Sequence, residues 1–123
     1  MGLSPKTTQF DSPAEFLASS KYDLIPGGVT LDSDTVASAS DGSKKLKAGE
    51  LMGKITESSK YGKYDSTEND GRETFVGHLM YDVDMKDGDE MVSILISGVV
   101  KEAALPTAPT STTKGHNPAI RYV

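Results

Sequence analysis

The stretch TFVGHLMYDVDMKDGDEMVSILISGVV, residues 74–100, decides the fold class of this chain. It contains two apolar runs, residues 74–81 and residues 91–100, and the second is rich in β-branched side chains. Short apolar runs bounded by turn signals are typical of buried strands. The residues between them, 82–90, are mostly acidic and centre on the turn Lys86-Asp87-Gly88-Asp89. We therefore predict two core strands joined by an acidic turn, with the ten-residue run 91–100 central to the sheet.

The preceding sequence adds shorter strands and turns. Pro26-Gly27-Gly28 predicts a turn into a strand at residues 29–31, and residues 33–43 predict a strand followed by a turn at Asp41-Gly42. Residues 51–56 predict a strand interrupted by Gly53, where a bulge or a close backbone approach is expected. Tyr61 and Tyr64 flank a predicted hairpin edge. No long segment has a helical period, so the fold class is mostly β, a small β-sandwich-like domain.

The two ends differ from this body, residues 22–106. Residues 1–21 are predicted to be an N-terminal arm with a short helix over residues 13–19, where Ser12 is the cap and Pro13 the first helical position. So short a helix must dock onto something to persist. Residues 107–123 are predicted to be an extended tail, because Pro and Thr are frequent there. Only its last five residues regain the character of a strand.

Composition excludes several classes of function. The chain has 123 residues, a net charge of −5 and no Cys, so nucleic acid is not expected as a partner, nor are Cys-ligated metal sites. No apolar run approaches the roughly 20 residues of a membrane span. The two histidines, His78 and His116, have no metal-site spacing, and the acidic turn departs from the calcium-loop pattern. We predict no enzymatic activity, no cofactor and no metal. Lys86 lacks the following Met that a biotinyl carrier would need.

Charge is distributed in blocks. Residues 44–64 contain six Lys and two Glu, and residues 65–90 contain nine acids and two bases. Such neighbouring blocks are expected to pair within the fold, to face each other between subunits, or to be solvated loops.

The middle of the chain resembles a known family. The segments that carry the resemblance are LKAGELMGKIT (46–56), YGKYD (61–65), DGRETFVGHLMYDVD (70–84), GDEMVSILISGVV (88–100) and KEAALP (101–106). Their order and spacing are similar to those of the head decoration proteins of tailed phages, of the phage lambda protein D type.

This resemblance implies a β-tulip fold without catalysis or cofactor. It implies trimers at local threefold positions on the outer surface of the matured capsid, made in the host cytoplasm and acting as cement. The expected partners are the major capsid protein, which the N-terminal arm contacts, and further copies of the chain. The alternative function is a small β-sandwich adhesion or display module on a virion.

Three sets of site residues are predicted on this basis. The capsid-binding anchors of the arm are Phe10, Pro13, Phe16 and Leu17, although the aromatic pair would alternatively cover the chain's own core. Ile120 and Tyr122 are predicted to dock the tail. The groups predicted to lie between subunits are Lys44, Lys45, Lys47, Lys54, Asp82, Asp84, Asp87 and Asp89.

Overall fold

The computed structural model describes residues 15–123, and its architecture is mostly β. In this part of the chain ten strands and one α-helix occur. The strands are β1 (Asp23–Leu24), β2 (Val29–Leu31), β3 (Lys45–Leu46), β4 (Leu51–Lys54), β5 (Tyr61–Lys63), β6 (Phe75–Leu79), β7 (Val83–Asp84), β8 (Glu90–Val92), β9 (Ile94–Val100) and β10 (Ile120–Tyr122), and the helix is α1 (Ser111–His116). The mostly β prediction is confirmed.

Connectivity forces the main sheet to curl. Its strands follow the order β1-β9-β6-β4-β5-β2-β8, and β10 also pairs with β9. Strands β8 and β9 lie near opposite ends of this path, yet only Ser93 separates them in sequence. One residue spans only about 3.5 Å of extended chain, so the two ends of the sheet must approach each other. The result is a half-barrel, over which β3 and β7 form a separate two-stranded sheet.

Both faces of this curled sheet are buried. Neighbouring residues alternate between two hydrophobic clusters, because successive side chains of a strand point to opposite faces. The inner cluster contains Met52, Leu79 and Ile94, together with Val29, Leu31, Leu46, Tyr61 and Met85. The outer cluster contains Leu51, Met80 and Leu95, together with Phe16, Leu17, Phe75, Val100 and Ile120. Burial on both faces of β6 and of the start of β9 explains why these two strands are largely apolar instead of strictly alternating.

Gly53 has the role predicted for it. The register of β4 against β6 shifts between Met52 and Gly53, as expected for a bulge. A Cβ atom at Gly53 would lie 2.8 Å from Cα of Arg72, so the backbone of residue 72 also approaches closely. Gly77 fills the same need on β6, where a Cβ would overlap the carbonyl group of Leu95.

The strand predicted at residues 29–31 and the turn at Asp41-Gly42 are confirmed, but three neighbouring predictions are wrong. The run 91–100 is split at Ser93, since β8 pairs with β2 whereas β9 pairs with β6. Residues 33–43 contain the 3₁₀ turn Ser33–Thr35 instead of a strand. There the carboxylate of Asp32 accepts the amide of Asp34, a local bond that competes with strand pairing. Strand β5 does form a hairpin with β4, as predicted, but it lies inside the sheet, between β4 and β2, and is not an edge.

Both terminal predictions also need correction. Within the helix predicted over residues 13–19, the described residues 15–19 form a turn and a bridge from Leu17 to Val100. Tertiary pairing has overridden a weak local propensity. Residues 107–123 are not an extended tail, because they contain α1 and β10. Thr110 caps α1 by accepting the amide of Thr113, whose own hydroxyl accepts the amide of Thr110.

Candidate functional site

The root of the N-terminal segment, residues 16–18, is fixed to the end of β9. Phe16 is 2% exposed and Leu17 is 8% exposed, both within the outer cluster. The amide of Ala18 donates to the carbonyl of Val99 at 2.9 Å, and the amide of Lys101 donates to the carbonyl of Phe16 at 2.6 Å.

Two of the four predicted arm anchors are therefore used inside the chain. Phe16 and Leu17 cover the chain's own core, as the alternative held for the aromatic pair, and they are not available as capsid anchors. Phe10 and Pro13 lie outside the described residues and stay predictions. The physical reason is the apolar surface that these two side chains remove from water. Burying a Phe and a Leu against an apolar sheet face is more favourable than leaving them exposed on an arm.

The C-terminal strand occupies the other side of the same end of β9. Strand β10 pairs with β9 in parallel, with Ile120 opposite Gly98 and Tyr122 opposite Val100. Ile120 is 4% exposed and belongs to the outer cluster, so it docks on its own chain and is not free for a neighbour. The segment leading to β10 is anchored by Asn117, whose Nδ2 donates to the carbonyls of Val76 and Ile96.

His78 lies at the centre of these contacts, fully buried on β6. Its Nδ1 is 2.8 Å from the carbonyl oxygen of Gly49, and its Nε2 is 2.7 Å from the hydroxyl of Tyr122. A carbonyl only accepts, so Nδ1 carries the proton, and in the neutral ring Nε2 accepts from Tyr122. Burial lowers the pKa of His78 to about 4, which keeps the ring neutral at pH 7. Burial raises the pKa of Tyr122 to about 12.

The contacts of His78 are those of a residue that holds the structure together. Nδ1 carries a proton and the lone pair of Nε2 accepts from Tyr122, so neither ring nitrogen is free to bind a metal or to exchange a proton with a substrate. The ring also contacts three aromatic side chains, with centroid distances of 5.0 Å to Phe75, 5.7 Å to Tyr122 and 6.1 Å to Phe16. The sequence placed His78 only within the predicted strand at residues 74–81. It gave no signal for the contact with Tyr122, which joins positions 44 residues apart.

The charge blocks meet within the chain through backbone pairing. Strands β3 and β7 place Lys45 opposite Asp84. The carboxylate of Asp84 accepts the amide of Lys44 at 3.0 Å, and that of Asp82 accepts the amide of Ala48 at 2.7 Å. Asp84 therefore closes one end of the β3–β7 pair, and Asp82 joins the segments that connect this pair to the main sheet.

The side chains of the predicted charged set behave differently from one another. Asp89 pairs with Lys60 at 2.8 Å and accepts the amide of Ser33, and the hydrogen bond from Lys60 is the main reason that its pKa falls to about 2. Asp87 is exposed. Within residues 15–123 no carboxylate forms an ion pair with any of the four predicted lysines, Lys44, Lys45, Lys47 and Lys54. The side chain of Lys44 instead donates to the carbonyl of Ser33.

Two shallow grooves border the acidic segment. One, of about 450 Å³, runs between Gly28, Tyr81 and the end strand β8, where Met91 is 66% exposed. The other, of about 380 Å³, lies over the β3–β7 pair beside Lys45 and Lys47. Asp82 and Val83 line both grooves. Sequence reasoning missed Met91 as a surface residue because it assigned the whole run 91–100 to the core.

The described residues contain neither a metal-binding cluster nor a membrane-spanning helix. In the described part of the chain, no group of three or more His, Asp or Glu side chains is placed to hold a metal ion. No helix among residues 15–123 is long and apolar enough to cross a bilayer.

Comparison with known proteins supplies the family. Neither the search of curated proteins nor the search of solved structures gives a match. The family model described as bacteriophage lambda head decoration protein D matches residues 7–120, which is nearly the whole chain and includes the N-terminal root, His78 and most of the C-terminal segment. This chain therefore belongs to the bacteriophage lambda head decoration protein D family.

Proposed function

We propose that this protein is a cement of the phage head, which binds the matured capsid at local threefold positions as trimers and stabilises the shell. The family match over residues 7–120 is the observation that carries the proposal, because that family decorates phage heads. The partners are the major capsid protein and further copies of this chain, and no cofactor takes part. The site is the outer surface of the virion capsid, reached after synthesis in the host cytoplasm.

The segment before residue 15 is proposed as the part that contacts the major capsid protein. A segment that adds to a sheet of another protein is held by backbone hydrogen bonds and by apolar side chains in pockets of its partner. Phe10 and Pro13 are the anchors proposed for this role. Phe16 and Leu17 are excluded from it by their burial in the outer cluster.

Trimers would increase the strength of attachment without stronger individual contacts. Three weak sites held together on a shell that repeats the same arrangement gain avidity, because the second and third contacts form at high effective concentration. The exposed lysines of the 44–54 segment and the acids of the 82–90 segment are the proposed polar contacts between copies. Their support is the absence of ion-pair partners for those lysines within the described residues.

The test is co-sedimentation with expanded, undecorated capsid shells. The full chain is compared with a variant that lacks residues 1–14, a boundary that spares the buried Phe16 and Leu17. We expect saturable binding of the full chain and loss of binding by the truncated one, which should keep the thermal unfolding midpoint of the full chain. Binding by both would move the contact to the β body. Binding by neither would contradict the proposal and favour an adhesion module, whose ligand would be a glycan or a surface receptor.

A further inference from the structure

The two terminal segments are joined to each other through one end of β9. On one side, Leu17 bridges to Val100, flanked by the bonds that Ala18 and Lys101 make with the opposite chain segment. On the other side, Tyr122 pairs with the same Val100. Residues 99–102 therefore hold both segments at once. The pairing with β9 continues one residue beyond β10, where the amide of Val123 donates to the carbonyl of Val100 at 2.9 Å.

A second layer of contact joins the same segments through side chains. The ring of His78 lies between Phe16 and Tyr122, and the hydroxyl of Tyr122 donates to its Nε2. The imidazole is thus oriented by the C-terminal strand on one side and presents its ring to the N-terminal root. Because the interior is closely packed, a shift of this ring must also displace Phe16.

We propose that Tyr122, acting through His78, is a positioning residue for the N-terminal root, residues 16–18, and so sets the position at which residues 1–14 join the described part of the chain. This inference rests on the proposed function, since it concerns how the segment before residue 15 is presented to the capsid. It gives the C-terminal strand a part in attachment without any contact of its own with the shell. The cationic end of Lys114 lies 5.3 Å from the Tyr122 ring centroid and also pairs with Glu102, so helix α1 helps to hold that ring.

The first measurement is amide hydrogen exchange in the free protein. In Tyr122→Phe, the ring remains but the buried Nε2 of His78 loses its donor, a loss that is costly in a buried site. We expect the amides of Ala18 and Lys101 to exchange about tenfold faster or more, while amides that pair β4 with β5 keep their rates. The matched control is Tyr64→Phe, which makes the same change in a side chain packed against Phe75 in the outer cluster.

The second measurement is binding of the same variants to expanded shells. We expect Tyr122→Phe to bind several-fold more weakly than the full chain, and Tyr64→Phe to bind equally well. A rescue experiment tests whether Tyr122 affects binding through the position of the N-terminal root. The bonds of Ala18 and Lys101 flank the pair Leu17 and Val100, which makes it a non-hydrogen-bonded pair with Cα atoms about 4.5 Å apart. That spacing suits a disulfide, and the chain has no other Cys.

The Leu17→Cys and Val100→Cys substitutions are therefore added to Tyr122→Phe. Oxidation should restore binding and reduction should abolish the restoration. Unchanged exchange at Ala18 and Lys101 in Tyr122→Phe would overturn the inference. Faster exchange with undiminished shell binding, or a crosslink that forms without restoring binding, would overturn it as well. Failure of the unaltered chain to bind shells would instead contradict the proposed function, and the exchange rates would still decide whether Tyr122 holds the root.

Discussion

The hydroxyl of Tyr122 and Nε2 of His78 lie 2.7 Å apart, and this bond ties the C-terminal strand to the middle of β6. The opposite nitrogen of the same ring donates to the carbonyl of Gly49, in the turn that leads into β4. One neutral imidazole therefore connects three regions that are distant in sequence. Protonation of Nε2 would reverse the direction of this bond, because the nitrogen would then donate to the Tyr122 hydroxyl, and it would place a charge in a buried site.

Stability is expected to fall between pH 6.5 and pH 4. The pKa of His78 drops from 6.5 to about 4 on folding because the ring is buried, so in this interval the unfolded chain binds a proton that the folded chain does not. The stabilisation is complete above pH 6.5 and is lost as pH falls to about 4, with a total on the order of 3 kcal/mol. Urea unfolding at pH 7 and at pH 4.5 measures it. His78→Gln should lose most of this dependence, and an equal slope in both proteins would contradict the assignment.

Phe16 is expected to matter for folding more than for capsid contact. Its side chain is 2% exposed beside His78 and Leu17, so Phe16→Ala should lower the free energy of unfolding by about 3–5 kcal/mol. Phe10→Ala is the matched control, since it removes the same side chain from the segment before residue 15. We expect Phe10→Ala to keep the urea midpoint and to weaken shell binding. A stable Phe16→Ala that binds poorly would return Phe16 to the set of capsid anchors.

The sequence predicted the elements whose character is local. The apolar runs of β6 and β9, the strand at Val29–Leu31 and the bulge at Gly53 follow from side chains within a few residues. The switch of pairing partner at Ser93, from β2 to β6, could not be predicted in this way. The apolar pattern of a strand is the same whichever strand pairs with it. The curl of the sheet depends on that switch, so the sequence did not predict it either.

The candidate site was harder to predict than the fold for the same reason. Phe16, His78 and Tyr122 are brought together only by pairing on both sides of β9, over a sequence span of more than 100 residues. The frequent Pro and Thr of residues 107–123 indicated an extended tail, whereas Thr110 and Thr113 use their hydroxyls to cap α1. Thr favours caps as well as turns, so composition alone did not decide between the two.

Two glycines provide a matched test of the packing. At Gly53 a Cβ would lie 2.8 Å from Cα of Arg72, whereas at Gly115, in α1, it would meet nothing within 4 Å. Gly53→Ala should therefore destabilise the protein by about 1–3 kcal/mol or more through overpacking against backbone. Gly115→Ala should stabilise it by up to about 1 kcal/mol through helix propensity. Thermal unfolding midpoints compare the two, and an undisturbed Gly53→Ala would show that the backbone at Arg72 can move away.

The charged contacts proposed between copies predict a dependence on salt. Lys45 and Lys47 are exposed and form no ion pair in the described part of the chain. Ion pairs that they form across an interface would be screened as the Debye length shortens from about 10 Å at 0.1 M salt to about 3 Å at 1 M. Co-sedimentation of the full chain with shells should weaken as salt rises. The double variant Lys45→Gln and Lys47→Gln should bind several-fold less at low salt and respond less to added salt.

The control variant, Lys21→Gln with Lys101→Gln, removes the same charge from exposed positions elsewhere and should keep the full salt response. Binding of the unaltered chain that is indifferent to salt would remove these lysines from the interface.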